Sequence, residues 1–400
     1  MSEVVLNDIC ELIVDCPHST AYDEGTGYPL VRTPNIGRGR IIYSGMHRVC
    51  EEVYNKRNAR AIPQTNDLIF AREATAGNVA LIQEGEKVCL GQRTVLIRPN
   101  ANLVNPAFLT YHLLAPEQQY KLLSTANGAT VAHVNMPTIR NLKLSLPPLA
   151  TQHRIATILS RYDSLIENYQ KQIKLLEEAA QRLYKEWFVD LHFPGHKNTK
   201  IVDGVPEGWE KKKISDVCET VGGGTPSTKV PAYYKGGRIK WVTPTDITRN
   251  NCICLLDTDK KITEEGLRNS STKMVPAGTI LMTSRASVGY FGIADFEVCT
   301  NQGFISCIPI PNMQMYLLFN LMSRVDEIRK KAGGSTYLEI SKSVFRNFDI
   351  VCPSEIILLQ FQYKASLVLK KEKTLSLQLR LLTEARDRLL PKLMSGEITV

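Results

Sequence analysis

The sequence has 400 residues, 43% of them apolar, and a formal net charge of +9 at pH 7, which favours a polyanionic partner such as nucleic acid. Its length accommodates two domains of about 150 residues with connecting helices, and the lack of any run of about 18 apolar residues argues against a membrane-spanning helix. Ten cysteines without a CxxC pair, and no secretory segment at the N-terminus, favour reduced thiols and a cytoplasmic protein.

Residues 1–146 alternate short runs of β-forming residues with turns and are predicted to form a mixed domain with a curved sheet. A helical segment is predicted at 105–124, after the last of these runs. The predicted strands are Tyr28–Arg32, Arg40–Tyr43, Asp67–Ala71, Val79–Ile82 and Thr94–Arg98.

Residues 147–191 are predicted to form one long helix, opened by two prolines. From Ile155 to Trp187 the apolar residues recur in alternating steps of four and three, which keeps one seam facing a partner helix, as in a coiled coil. The helix would be about 50 Å long. Its seam comprises Ile155, Leu159, Tyr162, Ile166, Tyr169, Ile173, Leu176, Ala180, Leu183 and Trp187.

Residues 192–208 form a polar linker rich in glycine and proline. His192 and His196 are four residues apart, a spacing that chelates metals on a helix, but Pro194 and Gly195 between them prevent a helix. We therefore expect solvated histidines and no metal site.

The second half of the chain repeats the first. A shift of 206 residues gives thirteen identities over 60 gapless positions and preserves the seam, which is apolar at eight of ten places. The exceptions, Glu372 and Arg386, either fix the register of a helix pair or mark where the pair splays or meets another chain. The repeat predicts a second domain at 209–352 and a second long helix with a short tail at 353–400. If the helices pair antiparallel, the two domains are related by a pseudo-twofold axis, so that the direct repeat in sequence becomes an inverted repeat in space. Duplex DNA has the same twofold symmetry.

Catalytic motifs are absent from the sequence. The stretch GGGTPSTK at Gly222–Lys229 lacks the spacing of a phosphate loop, and Asn105-Pro106-Ala107-Phe108, though similar to the clamp of amino-methyltransferases, follows no glycine-rich cofactor loop. Pro106 is instead expected to open a helix. The chain is therefore predicted to be noncatalytic.

Hydrogen-bonding residues in the predicted loops are the candidates for DNA contact, although any one of them could be a solvated loop residue. Arginine pairs with guanine, asparagine with adenine and an acid with cytosine, while lysine, threonine and tyrosine commonly hold phosphates. The candidates are Arg32, Asn35, Arg38, Arg40, Arg72, Thr75 and Asn78 in the first domain and Thr225, Lys229, Tyr233, Tyr234, Lys240, Thr245, Asp246, Arg249, Arg285 and Ser287 in the second.

Several motifs, in this order along the chain, resemble the specificity subunit of type I restriction-modification systems. They are LLEEAAQRLYKEWF (Leu175–Phe188), HFPG (His192–Gly195), VPEGWE (Val205–Glu210), GGGTPS (Gly222–Ser227) and RLLPKLMSGEI (Arg388–Ile398). The resemblance implies an α+β fold with two mixed α/β target recognition domains. Two long antiparallel helices, an intramolecular coiled coil, would separate them in a pseudo-twofold tandem repeat.

The resemblance also implies partners. Each recognition domain would read one half of a split double-stranded DNA target, and the helices would set the gap. Two modification subunits would methylate adenine from S-adenosylmethionine, and restriction subunits would translocate and cut DNA with ATP and Mg²⁺, so that this chain itself carries no cofactor. Residues at the helix ends are candidates for contacting the methyltransferase subunits, or alternatively for capping a recognition domain within the chain: Tyr184, Trp187, Phe188, Leu390, Leu393 and Met394.

Two other functions compete with this interpretation. A methyltransferase or nuclease with fused specificity domains lacks its catalytic regions here. A duplicated coiled-coil scaffold without a DNA role would bind its partners with no steep dependence on salt, unlike a protein that contacts phosphates.

Overall fold

A computed structural model describes residues 2–124, 133–250, 252–334 and 337–400. The chain divides into two compact units, each of which combines a mixed α/β part with pieces of both long helices. The first unit comprises residues 1–166 and 382–400, and the second comprises residues 167–381.

The first unit contains a four-stranded antiparallel sheet of order β2-β8-β5-β6, a three-stranded sheet of order β4-β3-β7 and the pair β1-β9. Its strands are β1 Ser2–Val5, β2 Cys10–Asp15, β3 Tyr28–Val31, β4 His47–Val49, β5 Leu68–Ala71, β6 Val79–Leu81, β7 Cys89–Leu90, β8 Thr94–Pro99 and β9 Lys143–Leu146. Its helices are α1 Glu51–Arg57, α2 Pro106–Leu114, α3 Pro116–Ser124, α4 Met136–Arg140 and the start of α5 Leu149–Tyr184.

The second unit repeats these strand pairings and adds one strand to each of the two sheets. Its sheets have the orders β13-β21-β18-β19-β15 and β16-β14-β20-β17, with the pairs β12-β22 and β10-β11. The strands are β10 Ile201–Val202, β11 Val205–Pro206, β12 Glu210–Lys213, β13 Cys218–Gly222, β14 Ile239–Val242, β15 Cys254–Leu255, β16 Lys260–Ile262, β17 Met274–Val275, β18 Ile280–Thr283, β19 Phe291–Ala294, β20 Val298–Thr300, β21 Phe304–Pro309 and β22 Asp349–Cys352. The helices are α6 Ile214–Val217, α7 Pro244–Thr248, α8 Glu264–Arg268, α9 Gln314–Ser323, α10 Val325–Lys331, α11 Lys342–Arg346 and α12 Glu355–Ser395.

Two sequence predictions for the first domain need correction. Arg40–Tyr43 is not a strand, and within it only Ile41 forms a β-bridge. The carbonyl of Ile42 does not pair with a neighbouring strand, because it accepts a hydrogen bond from Asn35 Nδ2 at 3.1 Å. The predicted helix at 105–124 is broken before Pro116, which has no N–H to continue it. Asn105 caps the first piece by accepting the amide of Phe108 at 2.9 Å, so the Asn-Pro-Ala-Phe stretch is a helix start.

The two long helices pack against each other in antiparallel fashion within each unit. In the first unit the early part of α5 shares a core with the late part of α12. In the second unit the late part of α5 shares a core with the early part of α12, where the rings of Trp187 and Phe361 are 6.0 Å apart. The predicted seams are confirmed, since all their residues are buried or half-buried.

The two polar residues of the second seam pair with residues of α5. Arg386 Nη1 lies 2.7 Å from Asp163 Oδ1, and Asp163 Oδ2 accepts the hydroxyl of Tyr111 at 2.6 Å. Both Arg386 and Glu372 therefore have intramolecular partners in a buried seam, which favours a role in register over a splayed pair.

Glu372 is only 1% exposed and lies beside Glu177 of α5 in the second unit. Two backbone amides at the start of β15 bind the carboxyl groups: Ile253 N donates to Glu177 Oε1 at 2.8 Å and Cys254 N to Glu372 Oε1 at 3.0 Å. Burial, followed by the nearby Glu177 carboxylate, raises the pKa of Glu372 to about 7. When Glu372 is protonated, its carboxyl group can donate a hydrogen bond to the Glu177 carboxylate. Without this proton two buried negative charges would lie side by side, which is unfavourable.

The raised pKa of Glu372 predicts that the second unit loses stability as the pH rises. The contribution is complete below the ordinary value of 4.5 and is lost as the pH rises through about 7, because the folded unit must then give up its extra proton. Glu372→Gln stays neutral and keeps both hydrogen bonds. We expect the free energy of unfolding of the unaltered chain to fall by about 2–3 kcal/mol more than that of Glu372→Gln between about pH 5 and pH 8.5.

Urea unfolding followed by tryptophan fluorescence measures this difference, because Trp187, Trp209 and Trp241 all belong to the second unit. Glu355→Gln, an exposed position at the start of α12, is the matched control and should leave the pH dependence unchanged. Equal pH profiles for Glu372→Gln and the unaltered chain would contradict the shared proton.

Candidate nucleic-acid interface

Three loops lie together at one edge of the sheets in each unit. In the first unit they are loop A (residues 32–46, after β3), loop B (72–78, between β5 and β6) and loop C (91–93, before β8). Hydrogen bonds connect loop C to the end of β3 (Gly91 N to Val31 O, 2.8 Å) and loop B to loop C (Arg72 N to Arg93 O, 2.9 Å). Two side chains of loop B donate to loop A: Thr75 Oγ1 to Thr33 O (2.8 Å) and Asn78 Nδ2 to Ile36 O (3.0 Å). The loops thus form one surface on a rigid support, the usual arrangement of a binding site.

The second unit builds the same cluster from loop A (243–250, 252 and 253, after β14 and including α7), loop B (284–290, between β18 and β19) and loop C (301–303, before β21). Asn301 N donates to Val242 O at 3.0 Å and Ser284 N donates to Gly303 O at 2.7 Å. These bonds correspond to those of Gly91 and Arg72 in the first unit. The cluster is therefore duplicated with its backbone connections intact.

Loop B has the same strained backbone in both units. Ala74 and Ala286 both have φ of 61°, a left-handed conformation that costs a residue with a side chain about 1 kcal/mol or more. Each loop is closed by a glycine, with Gly77 N donating to Ala71 O at 3.0 Å and Gly289 N to Thr283 O at 2.9 Å. Strained residues of this kind persist where the surroundings hold them, often at ligand sites.

The first unit's DNA candidates all lie in loops A and B, but several are used within the chain. Asn35 and Arg72 are 1% and 8% exposed, respectively. Arg72 pairs with Asp15 at 2.7 Å and donates to Val134 O at 3.0 Å. In the chain by itself these two side chains hold the loops in place, and the contact with DNA predicted for them stays a prediction.

The remaining candidates of the first unit have more exposed positions. Arg38 is exposed and donates from Nη2 to Leu114 O at 3.1 Å, while Arg32 donates from Nη2 to Gly45 O at 2.9 Å. Arg40, Thr75 and Asn78 are half-buried. Of this set, therefore, Arg38 is the residue whose side chain is most accessible to a ligand.

In the second unit, loop A contains Thr245, Asp246 and the exposed Arg249, and loop B contains Arg285 and Ser287. Thr225 Oγ1 contacts the side chain of Gln302 in loop C. Asp246 was predicted to accept from a base. Both of its oxygens instead accept backbone amides, from Thr243 at 2.7 Å and Asp259 at 2.8 Å, so it caps α7. Arg285 and Ser287 are exposed on loop B.

The other candidates of the second unit lie around the sheet that contains β14 and β16. Tyr234 donates to Pro226 O at 2.6 Å and lines a pocket of about 370 Å³ with Thr228, Lys260 and Lys261. The ammonium of Lys240 lies 3.3 Å over the ring of Phe296. Lys229 is exposed and Tyr233 is half-buried in the adjoining segment.

The GGGTPS stretch is not arranged as a phosphate loop. A side chain on Gly223 would collide with the backbone of Thr300 and Asn301, and Trp241 Nε1 donates to Gly224 O at 3.0 Å. The glycines are thus required for close packing of the backbone.

The predicted partner-binding residues lie inside the two units. Tyr184 and Trp187 are 5% and 6% exposed, and the half-buried Phe188 packs its ring 4.9 Å from that of Phe361. Leu390, Leu393 and Met394 belong to the core of the first unit. These side chains are already covered within the chain, as the alternative of an intramolecular cap expects, and their contact with methyltransferase subunits stays a prediction.

Sequence reasoning missed four ionisable residues at the loop clusters: Glu73, Arg93, His133 and Glu339. Glu73 accepts from His133 Nδ1 at 2.7 Å and pairs with Arg93 at 2.8 Å. The signal was present in the sequence, because aligning Ala74 and Gly77 with Ala286 and Gly289 places Glu73 opposite the candidate Arg285.

Neither a metal cluster nor a membrane-spanning helix is found in the part of the chain that the structure describes. Within residues 2–124, 133–250, 252–334 and 337–400, His, Cys, Asp and Glu form no group of three or more placed to hold a metal. Over the same ranges, no helix has both the length and the apolar content to cross a bilayer. His192 and His196 lie with their rings 5.4 Å apart in the linker.

Comparisons with known proteins agree with the motifs. The family profile described as "Type I restriction modification DNA specificity domain" matches residues 1–178 and 206–363. The HindI specificity subunit of Haemophilus influenzae is 27% identical over 369 residues, covering 76% of this chain and 80% of that protein. The MjaIX specificity subunit of Methanocaldococcus jannaschii is 39% identical over 153 residues, covering 38% of this chain and 35% of that protein.

Among solved structures, the S subunit of a type I restriction-modification system from M. genitalium has the same fold. Its TM-score is 0.62 at 15% sequence identity, and the match covers 98% of this chain and 95% of the other.

The strain in loop B predicts that Ala286→Gly stabilises the second unit. Glycine adopts a φ of 61° without the steric cost, so we expect a gain of about 1 kcal/mol in the free energy of unfolding, measured by tryptophan fluorescence in urea. Gly289→Ala in the same loop should act in the opposite direction, because its added Cβ would lie 2.9 Å from Val325 Cγ1. A loss of stability in Ala286→Gly would show that the alanine is not strained.

Proposed function

The chain belongs to the family of type I restriction-modification DNA specificity domains, and from this premise we propose that each unit reads one half of a bipartite duplex DNA target. The subunit would be noncatalytic and would direct adenine methylation and restriction by partner subunits. S-adenosylmethionine, ATP and Mg²⁺ would act in those partners.

The observation that carries the proposal is the duplicated loop cluster. Loops A, B and C have the same backbone connections in both units, including an alanine with φ of 61° at the same place in loop B. Their side chains differ: Thr75 and Asn78 of the first unit stand where the second has Ser287 and Tyr290. A shared loop backbone with different side chains suits two domains that recognise the two halves of an asymmetric target, because contacts to the bases carry the sequence information.

The helices support a fixed gap between the half-sites. α5 is one helix from Leu149 to Tyr184, and each unit contains a piece of it paired with a piece of α12. The pairs Asp163–Arg386 and Glu177–Glu372 fit a single antiparallel register of the two helices. The reason is that Asp163 and Glu177 are fourteen residues apart on α5, and Glu372 and Arg386 are fourteen residues apart on α12. We propose that this helix pair sets the gap and that residues 1–146 and 209–352 are the recognition domains.

Duplex binding tests the proposal against the scaffold alternative. The logarithm of the association constant of the full chain for duplex DNA should fall linearly with the logarithm of the salt concentration. The slope should be about −0.9 for each phosphate contacted. A gel shift or fluorescence titration between about 50 and 200 mM salt measures the slope. Lys260→Gln with Lys261→Gln, at the pocket beside Tyr234, should make it shallower by up to about two. Absent or salt-independent binding would favour a scaffold.

Lengthening the helix pair tests the gap. Inserting one heptad after Ile166 in α5 and one after Leu381 in α12 keeps both seams in phase and adds about 10 Å, close to three base pairs. Methylome sequencing of cells with the altered gene should show the same half-site bases with a gap longer by about that number. A heptad in α5 alone is the control, and it should destabilise the pair. Altered half-site bases with an unchanged gap would contradict the role of the helices.

A further inference from the structure

Loop B presents an ionisable side chain next to its strained alanine in each unit, and a second residue pairs with it. In the first unit Glu73 Oε1 is 2.7 Å from His133 Nδ1. In the second, Arg285 Nε is 3.7 Å from Glu339 Oε2.

These two pairs occupy corresponding places. Glu73 precedes Ala74 as Arg285 precedes Ala286, and His133 and Glu339 are related by the 206-residue repeat. The backbone agrees, since Val134 N donates to Arg72 O at 3.0 Å and Ile340 N to Ser284 O at 3.0 Å. The position on loop B therefore carries an acceptor in the first unit and a donor in the second.

The Glu73 carboxylate is held by two donors. Its Oε2 pairs with Arg93 at 2.8 Å and its Oε1 accepts from His133. His133 Nε2 lies 2.9 Å from a guanidinium nitrogen of Arg72, which can only donate, so Nε2 accepts and Nδ1 carries the proton given to Glu73. A carboxylate has about four acceptor positions, and a bound group can use those that remain.

Arg285 is held more loosely. Its side chain is 46% exposed, and 3.7 Å to Glu339 is longer than a hydrogen bond. A ligand with two acceptors can therefore displace Glu339 and take the planar guanidinium in a bidentate contact.

We propose that Glu73 and Arg285 are base-contacting residues of opposite hydrogen-bond character, one for each half of the target. Glu73 accepts from an exocyclic amino group in the major groove, N4 of cytosine or N6 of adenine, and excludes guanine, whose O6 and N7 are both acceptors. Arg285 donates to those two acceptors and so selects guanine. The inference rests on the proposed function and adds the chemistry of one position in each half-site.

Selection from a randomised duplex pool tests the inference. The complex captured from its own cells by the tagged full chain is incubated with the pool, and the bound DNA is sequenced. With the unaltered chain, one position of the first half-site should carry cytosine or adenine, and the enriched base tells which. Glu73→Arg should shift that position to guanine by on the order of tenfold or more and leave the second half-site unchanged.

Arg285→Glu should make the converse change in the second half-site only. Glu84→Arg is the matched control in the first unit, since it makes the same charge change at an exposed turn and should alter no base. If Glu73→Arg does not fold, Glu73→Gln keeps the size of the side chain and should reduce the discrimination against guanine at that one position.

The selection distinguishes a failure of the proposed function from a failure of the inference about Glu73 and Arg285. If the unaltered complex enriches no bipartite sequence, the proposed function is wrong and the inference falls with it. If it enriches one, but the Glu73 and Arg285 variants keep the same bases or change both halves equally, only the inference is overturned.

Discussion

The antiparallel packing of α5 against α12 is the constraint on which both units depend. Each unit completes its core with a piece of each helix: Leu159 and Leu393 are buried in the first, and Trp187 and Phe361 in the second. An apolar seam alone tolerates slippage by a heptad, because every turn presents similar side chains. Charged residues in a buried seam do not, because a buried charge that loses its partner costs several kcal/mol.

The two polar contacts of the seam use different chemistry for the same purpose. Asp163 and Arg386 form an ion pair completed by the hydroxyl of Tyr111. Glu177 and Glu372 have like charges and are compatible only when one is protonated, which is why burial beside Glu177 raises the pKa of Glu372. Because Ile253 and Cys254 donate their amides to this pair, the sheet of the second unit is tied to the helix pair at the same point.

The loop clusters combine a repeated support with varied side chains. Backbone hydrogen bonds and the left-handed alanines are the same in both units, whereas the ionisable residue of loop B changes from Glu73 to Arg285. Hydrogen bonds of the main chain do not depend on side-chain identity, so the exposed residues can change without loss of the loop's shape. Under the proposed function, this arrangement lets the two units recognise different short sequences with the same backbone framework.

The sequence by itself determined the tandem repeat, the two long helices and the direction in which their seams face. These features follow from periodicity, which local geometry imposes on every helix. Only the tertiary structure decided which polar side chains are free of contacts within the chain and so available to a ligand. Asn35, Arg72 and Asp246 looked like ligand contacts but bind the chain's own backbone and side chains, and Tyr184 and Trp187 looked like an interface but fill a core. Glu73 went unnoticed because its importance depends on His133, 60 residues away, and a contact between such distant positions leaves no periodic signal in the sequence.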